Sequence, residues 1–324
     1  MYKSNPNLTV GICYYYQLVG LQLTILGSSG AMPAYGRFPS SQYLFIENHH
    51  FLIDCGEGTQ MQLKRYSIPV HKIDRIFISH LHGDHYLGLT GLLFSMHLQK
   101  RTNDLHIYSQ PGLDEIITLQ LKHSRSSLNY KVVFHPILKE KSTCLFEDDK
   151  VSVTTIPLMH KISCTGFLFA EKEKPRRINK AVLPDGILLE HIAQLKSGKD
   201  VLNSDGSVLY QNKAYTLPPK HAYSYAYCSD TMYREQIVEQ ITGIDLLYHE
   251  ATFMTEHEDK AAITLHSTAQ QAALIARKAN VKQLLMGHFS ARYKELDLLL
   301  AEATAEFQNS RLATEGETID LADL

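Results

Sequence analysis

Nowhere in the 324 residues does the chain keep up the run of roughly eighteen apolar side chains that a membrane span requires, so no membrane partner is expected. Cysteine is scarce. The five residues (Cys13, Cys55, Cys144, Cys164 and Cys228) are scattered, odd in number and never arranged as CxxC. That argues against a disulfide framework or a cysteine-built zinc site, and for a reducing, cytoplasmic compartment. An excess of one charge is missing too. With a formal net charge of −2, the chain as a whole does not attract nucleic acid, and any such role needs cations gathered locally. Residues 1–20 lack the basic start, long apolar middle and small-residue cleavage site of a signal peptide. They read as an extension ahead of a domain over 21–324. No short-period repeat is found.

What is present suits a substantial core: 44% of the residues are hydrophobic. Strand-like and helix-like stretches alternate for most of the length. Strands are expected over 21–26, 43–47, 51–54, 75–79, 105–108, 131–134, 151–156, 164–170, 222–228, 244–249 and 281–286. Helices are expected over 59–66, after the histidine cluster near residue 87, and over 269–279. This interleaving predicts a layered α/β domain with helices covering sheets. Residues 171–219 break the pattern. Lys172, Lys174, Arg176, Arg177 and Lys180 crowd the start of that stretch, and Gly, Pro, Asp and Asn punctuate the rest around one short helix over 187–196. Insertions of this length are usually functional appendages or disordered.

The most informative segment is Ser79-His80-Leu81-His82-Gly83-Asp84-His85. His80 and His82 lie two apart, so an extended backbone projects both to one side. Gly83 permits a reversal, and Asp84 and His85 then open a helix facing the same point. Neutral imidazole with carboxylate is a ligand set for zinc, with manganese or iron as substitutes. Further ligand types recur just past strand ends: His160, Asp230 and His288. Asp230 has two oxygens and can bridge two ions. A dinuclear site would lower the pKa of bound water towards about 7, and Asp84 can orient or deprotonate that water. Glu250 closes another strand. His266 is expected at a helix start beside a Ser267–Gln270 capping box, where it either helps cap the helix or, paired with Glu250, donates a proton to a departing oxygen.

His80-Leu81-His82-Gly83-Asp84-His85 resembles the signature of the metallo-β-lactamase superfamily, and the wider pattern resembles its ribonuclease Z family of tRNA 3′-processing endonucleases. The narrower resemblance rests on Gly88-Leu89-Thr90-Gly91-Leu92-Leu93, Ser229-Asp230-Thr231, His249-Glu250-Ala251-Thr252-Phe253, His266-Ser267-Thr268-Ala269 and Gly287-His288-Phe289-Ser290-Ala291-Arg292-Tyr293. It implies a four-layer αββα sandwich and two zinc ions per subunit, with manganese or another divalent ion as substitute. His80, His82 and His160 would hold one ion, Asp84, His85 and His288 the other, and Asp230 would bridge them. Asp84, Glu250 and His266 would be catalytic, Arg292 would lie near substrate phosphate, and Asp54 would support the metal loop from behind. Residues 171–219 match the position of an arm that clamps the tRNA body. The resemblance also implies a homodimer and precursor tRNA as partner. Two features depart from the family: Ile187 follows Gly186 where a Gly-Pro pair is usual, and Tyr35 and Phe38 stand where many members have Lys and Asn. The rival classes are a dinuclear hydrolase of small phosphodiesters, aryl sulfates or lactones, and a non-catalytic RNA-binding protein.

Overall fold

The computed structural model describes residues 20–138 and 141–324, so the extension, apart from Gly20, lies outside the described residues. Two seven-stranded sheets dominate. The first runs Thr318–Asp320, Leu21–Gly27, Ser41–Ile46, His49–Ile53, Arg75–Phe77, Leu105–Ser109, Val132–Pro136, antiparallel as far as His49–Ile53 and parallel beyond it. The second runs Ser310–Leu312, Gln283–Gly287, Leu246–Glu250, Ser224–Cys228, Thr165–Glu171, Val151–Pro157, Cys144–Glu147. It is parallel as far as Ser224–Cys228 and antiparallel after it.

Period-two alternation explains the layering, because each strand sends successive side chains to opposite faces. Leu44 and Ile46, Phe51 and Ile53, and Phe77 meet Phe167, Phe169, Tyr225, Tyr227 and Tyr248 between the sheets. The intervening Tyr43, Phe45, Leu52 and Ile76 pack outward against the helices Leu89–Leu98 and Leu113–His123. On the far side Ala226, Leu247, Leu284 and Met286 pack against Ala269–Lys278 and Asp297–Glu306. Four layers result, helix–sheet–sheet–helix, as the αββα expectation has it. Strands covered on both faces are apolar nearly throughout, which is why they are legible as strands. The expectation omitted Leu113–His123, Asp297–Glu306 and the short strands Cys144–Glu147, Ser310–Leu312 and Thr318–Asp320. No helix among the described residues is long and apolar enough to cross a membrane.

Thr165–Glu171 pairs directly with Ser224–Cys228, Ala170 opposite Ser224. The chain between them is therefore an excursion that leaves and returns at neighbouring points. It carries a helix, Leu189–Lys196, and two ribbons, Arg177–Ile178 with Thr216–Leu217 and Val201–Leu202 with Val208–Tyr210. Leu195 and Val201 are buried, giving it a small core of its own.

The loop after His49–Ile53 grips the turn that carries the histidine cluster. Cys55 N–H donates to His85 O at 2.7 Å, and Gly88 N–H donates to Cys55 O at 2.9 Å. A Cβ on Gly88 would lie 2.1 Å from Gly56 O. Elsewhere in a helix, Gly→Ala gains about 1 kcal/mol. Here we expect Gly88→Ala to cost about 1–3 kcal/mol through overpacking, read as a lower urea midpoint; a midpoint at or above wild type would refute this account of the contact.

Candidate metal centre

The parallel strands of both sheets end on one rim, and their following loops supply the chemistry, as is usual at the carboxyl ends of α/β strands. His82 keeps an extended backbone (φ −75°, ψ 147°) before the short helix Gly83–Tyr86, which aims Asp84 and His85 back towards the rim. His160 follows Val151–Pro157, Asp230 follows Ser224–Cys228, and His288 follows Gln283–Gly287.

These residues, far apart in sequence, meet. His80, His82, His160 and Asp230 form one group, and Asp84, His85 and His288 another, with the ligand atoms of each group within 4.8 Å of one another. Asp230 lies between them. Its Oδ2 is 3.5 Å from His80 Nε2 and 3.7 Å from His160 Nε2; its Oδ1 is 3.3 Å from His85 Nε2 and 3.2 Å from His288 Nε2. Asp84 Oδ2 sits 3.4 Å from His85 Nε2 and 3.3 Å from His288 Nε2.

Outward-facing nitrogens are bonded elsewhere, which fixes ring orientation and tautomer. His85 Nδ1 donates to Asp54 Oδ2 at 2.7 Å, and His160 Nδ1 to Leu265 O at 2.9 Å. His288 Nδ1 meets Thr252 Oγ1 at 2.9 Å, and His80 Nδ1 meets Ser79 Oγ at 3.0 Å. With one proton fixed on Nδ1 by Asp54, the neutral His85 ring would turn its Nε2 lone pair towards the metal groups. That atom is buried without a hydrogen-bond partner while facing carboxylate oxygens, which also carry only lone pairs. Burial opposes a charge on His85, but Asp230, Asp84 and Asp54 prevail and raise its pKa well above the usual imidazole range, so a divalent cation entering between these nitrogen and oxygen donors would displace a proton. Burial lowers the pKa of His80, His82 and His160, leaving the neutral rings a metal requires. For Asp84, burial favours the protonated acid, but the neighbouring His85 and His288 outweigh it and keep the carboxylate ionised.

Asp54 is fully buried, at φ +54°, and accepts from four donors: Ser79 N–H at 2.7 Å, Ser79 Oγ at 2.9 Å, His85 Nδ1 at 2.7 Å and Tyr227 OH at 2.6 Å. Beside the metal groups, Glu250 Oε1 lies 2.7 Å from His266 Nδ1. Burial opposes protonation of His266, but the charge and hydrogen bond of Glu250 prevail and raise the ring to about 9.

The capping expectation is corrected. Thr268 caps the helix Ala269–Lys278 with Gln271, while Ser267 Oγ donates to Thr231 O at 2.7 Å. His266 does not stand at that helix start: its N–H bonds to Ala261 O at the end of Glu258–Thr264. Glu250, rather than capping, orients it.

Arg292 is exposed on the rim of the cavity of about 510 Å³ above the two groups. The five arm cations line a different cavity, of about 560 Å³, at the root of the excursion, joined there by Lys150, Lys196 and Lys220. Lys172 already pairs with Glu147 at 2.8 Å, and Lys174 with Glu47 and Glu171 at 2.9 and 2.8 Å. Sequence reasoning passed over Thr252, whose hydroxyl donates to Glu250 Oε2 at 2.5 Å and faces His288. It also passed over the Ala31 N–H, which donates to Asp84 Oδ2 at 2.8 Å. A signal for the second existed in the small-residue turn Gly27-Ser28-Ser29-Gly30: a Cβ on Gly30 would lie 2.8 Å from the His288 ring.

Known proteins resemble this chain along nearly its whole length. A family profile described as Anti-Pycsar protein Apyc1 matches residues 21–175, short of half the chain. The human tRNase Z short-form crystal structure superposes with a TM-score of 0.69 at 28% identity, covering 93% of this chain and 99% of that one. The metallo-β-lactamase fold protein YhfI from Bacillus subtilis, 18% identical, shares the fold at a TM-score of 0.65, covering 92% of this chain and 98% of its own. Ribonuclease Z from Cytophaga hutchinsonii is 47% identical over 93% of this chain and 96% of that protein. With ribonuclease Z from Bacteroides fragilis also 44% identical, over 93% of this chain and 99% of the relative, the chain belongs to the ribonuclease Z family of the metallo-β-lactamase superfamily.

Proposed function

We propose that this protein is a zinc-dependent endoribonuclease that removes the 3′ trailer from precursor tRNA. Hydrolysis after the discriminator nucleotide breaks the P–O3′ bond, leaving a 3′-hydroxyl on the tRNA and a 5′-phosphate on the trailer. The observation that carries the reading is Asp230 standing between two donor groups, one oxygen towards each. In this reading His80, His82, His160 and Asp230 hold one zinc, and Asp84, His85, His288 and Asp230 hold the second. Bound there, the pair offsets negative charge on the phosphoryl oxygens and lowers the pKa of a coordinated water towards about 7.

The chain's own groups do the rest. Asp84, held by the Ala31 amide, orients the attacking water and takes its proton. His266, kept protonated by Glu250, delivers a proton to the departing O3′. Arg292 pairs with phosphate at the rim. Residues 171–219 serve as the arm that holds the tRNA body, by backbone contacts that weaken steeply with salt. We place the enzyme in the cytoplasm as a homodimer.

The direct test maps the ends produced from a precursor tRNA carrying a 3′ trailer, with and without chelator. We expect one cut at the discriminator, abolished by chelation and restored by zinc; scattered cuts, or cleavage indifferent to chelation, would sink the proposal. Asp54→Ala should lower zinc affinity about 10- to 100-fold, measured by competition with a chromogenic chelator. Unchanged affinity would show that Asp54 does not support the ligands. In chelated protein, NMR should find the His266 ring protonated through neutral pH and titrating near 9. In Glu250→Gln, burial is opposed only by the more distant Asp230, and the midpoint should fall well below 9. Since the folded value exceeds the unfolded one, the pair's stabilisation is complete below about pH 6.5 and is lost as pH rises through about 9. A midpoint unmoved by Glu250→Gln would contradict this pairing.

A further inference from the structure

Beside the metal centre lies a second concavity, of about 400 Å³, that the mechanism above does not use. It is walled by the turn 157–165 and closed by Arg234. These are the two loops that deliver His160 and Asp230, and they are joined by the Met232 N–H donating to Met159 O at 2.9 Å and the Thr231 hydroxyl accepting from Met159 N–H at 3.1 Å. His160 and Lys161 line both this concavity and the cavity over the metal groups, so the two spaces adjoin.

Its chemistry is one-sided. Arg234 and Lys161 supply positive charge and no carboxylate lines the wall, while the Ser163 and Thr165 hydroxyls are held by Gln110. Among the described residues, three arginines bury an Nε without a hydrogen-bond partner: Arg37, Arg75 and Arg234. Arg37 uses its terminal nitrogens on the Tyr293 and Lys294 carbonyls, and Arg75 uses one on Asp74. Among the described residues Arg234 has neither a side-chain hydrogen bond nor an ion pair. The Nε is shielded, and the two terminal nitrogens are the donors left for a ligand in the concavity; an oxyanion there would accept from both. Successive phosphates of a nucleic-acid strand place such an anion next to the reacting one.

We propose that this concavity is a second phosphate subsite, in which Arg234, assisted by Lys161, binds the RNA phosphate flanking the scissile one. The inference rests on the ribonuclease reading and adds a specificity-determining residue to it. Arg234 touches a neighbouring phosphate rather than the reacting atoms, and so discriminates a polynucleotide from a small diester.

The test compares zinc-loaded wild type with Arg234→Gln, Arg234→Lys and Lys161→Gln, on precursor tRNA and on a small chromogenic phosphodiester that has no flanking phosphate. For Arg234→Gln, the ratio of kcat/KM on precursor tRNA to that on the diester should fall about ten-fold, the scale of a lost charged hydrogen bond. The slope of log kcat/KM against log salt should become shallower by about 0.7, the single-strand value for one phosphate contact. Arg234→Lys should keep most of that slope, and Lys161→Gln should reproduce part of the loss. Wild-type ratio and slope in Arg234→Gln, or equal loss on both substrates, overturns the subsite. Orthophosphate that raises the melting temperature of wild type but not of Arg234→Gln, with tRNA ratios unchanged, assigns the site to a free anion and overturns the RNA assignment. Wild type that cuts no precursor tRNA defeats the ribonuclease reading and this inference with it; a wild type that cuts, matched by Arg234→Gln, defeats this inference alone.

Discussion

A buried carboxylate organises the molecule. Asp54 sits between the sheets and the rim, shielded from water, and accepts from the Ser79 amide and hydroxyl, His85 and Tyr227. An ionised group so placed is tolerated only when its lone pairs are satisfied. The four donors come from two separated parts of the chain, the segment Ser79–His85 and Tyr227, so both must reach their positions for either to benefit. Tyr227 ties the carboxylate to the second sheet, Ser79 to the loop after Arg75–Phe77, and His85 to the ligands. One interaction thus couples the stacking of the sheets to the aim of an imidazole.

The aromatic core gives that coupling its stiffness. Tyr225, Tyr227 and Tyr248 are fully buried beside Phe51, Phe77, Phe167 and Phe169. Tyr227 stacks on Tyr248 with ring centroids 5.0 Å apart. Rings packed at interior density leave little room for one sheet to slide over the other. The rim inherits this rigidity, which a site needs if seven donors are to hold their positions before an ion arrives. The excursion over 172–223 has instead a core of a few side chains and joins the domain through its two ends, Lys174 on Glu171 and Glu47 at one and His221 on Asp245 at the other.

Much of this was legible from the residues. Strands apolar on both faces announce themselves, and the spacing of His80, His82, Asp84 and His85 places four candidate ligands on one turn whatever the tertiary setting. His160, Asp230 and His288 were legible only as residues past strand ends, since nothing local distinguishes them from capping or structural side chains. The capping box was misplaced by one residue because Ser267-Thr268 offers two hydroxyls in a row with Gln270-Gln271 behind them. Which hydroxyl caps is decided by Ser267 donating to Thr231 O on another loop. Thr252 carries no local mark, since its role exists only through His288 and Glu250, and the small-residue turn before Ala31 marks a close approach without naming Asp84 as the partner.

By itself, the sequence determined the layered α/β class and the donor chemistry, because periodicity and residue type act over a few neighbours and survive without knowledge of contacts, while the family came from the resemblance of its motifs. Only the tertiary structure decided that Asp230 faces both donor groups, that Glu250 rather than a helix end governs His266, and that Arg234 is left without a partner among the described residues. Those facts depend on which loops become neighbours when two sheets close on one another, and that closure is a property of the whole chain.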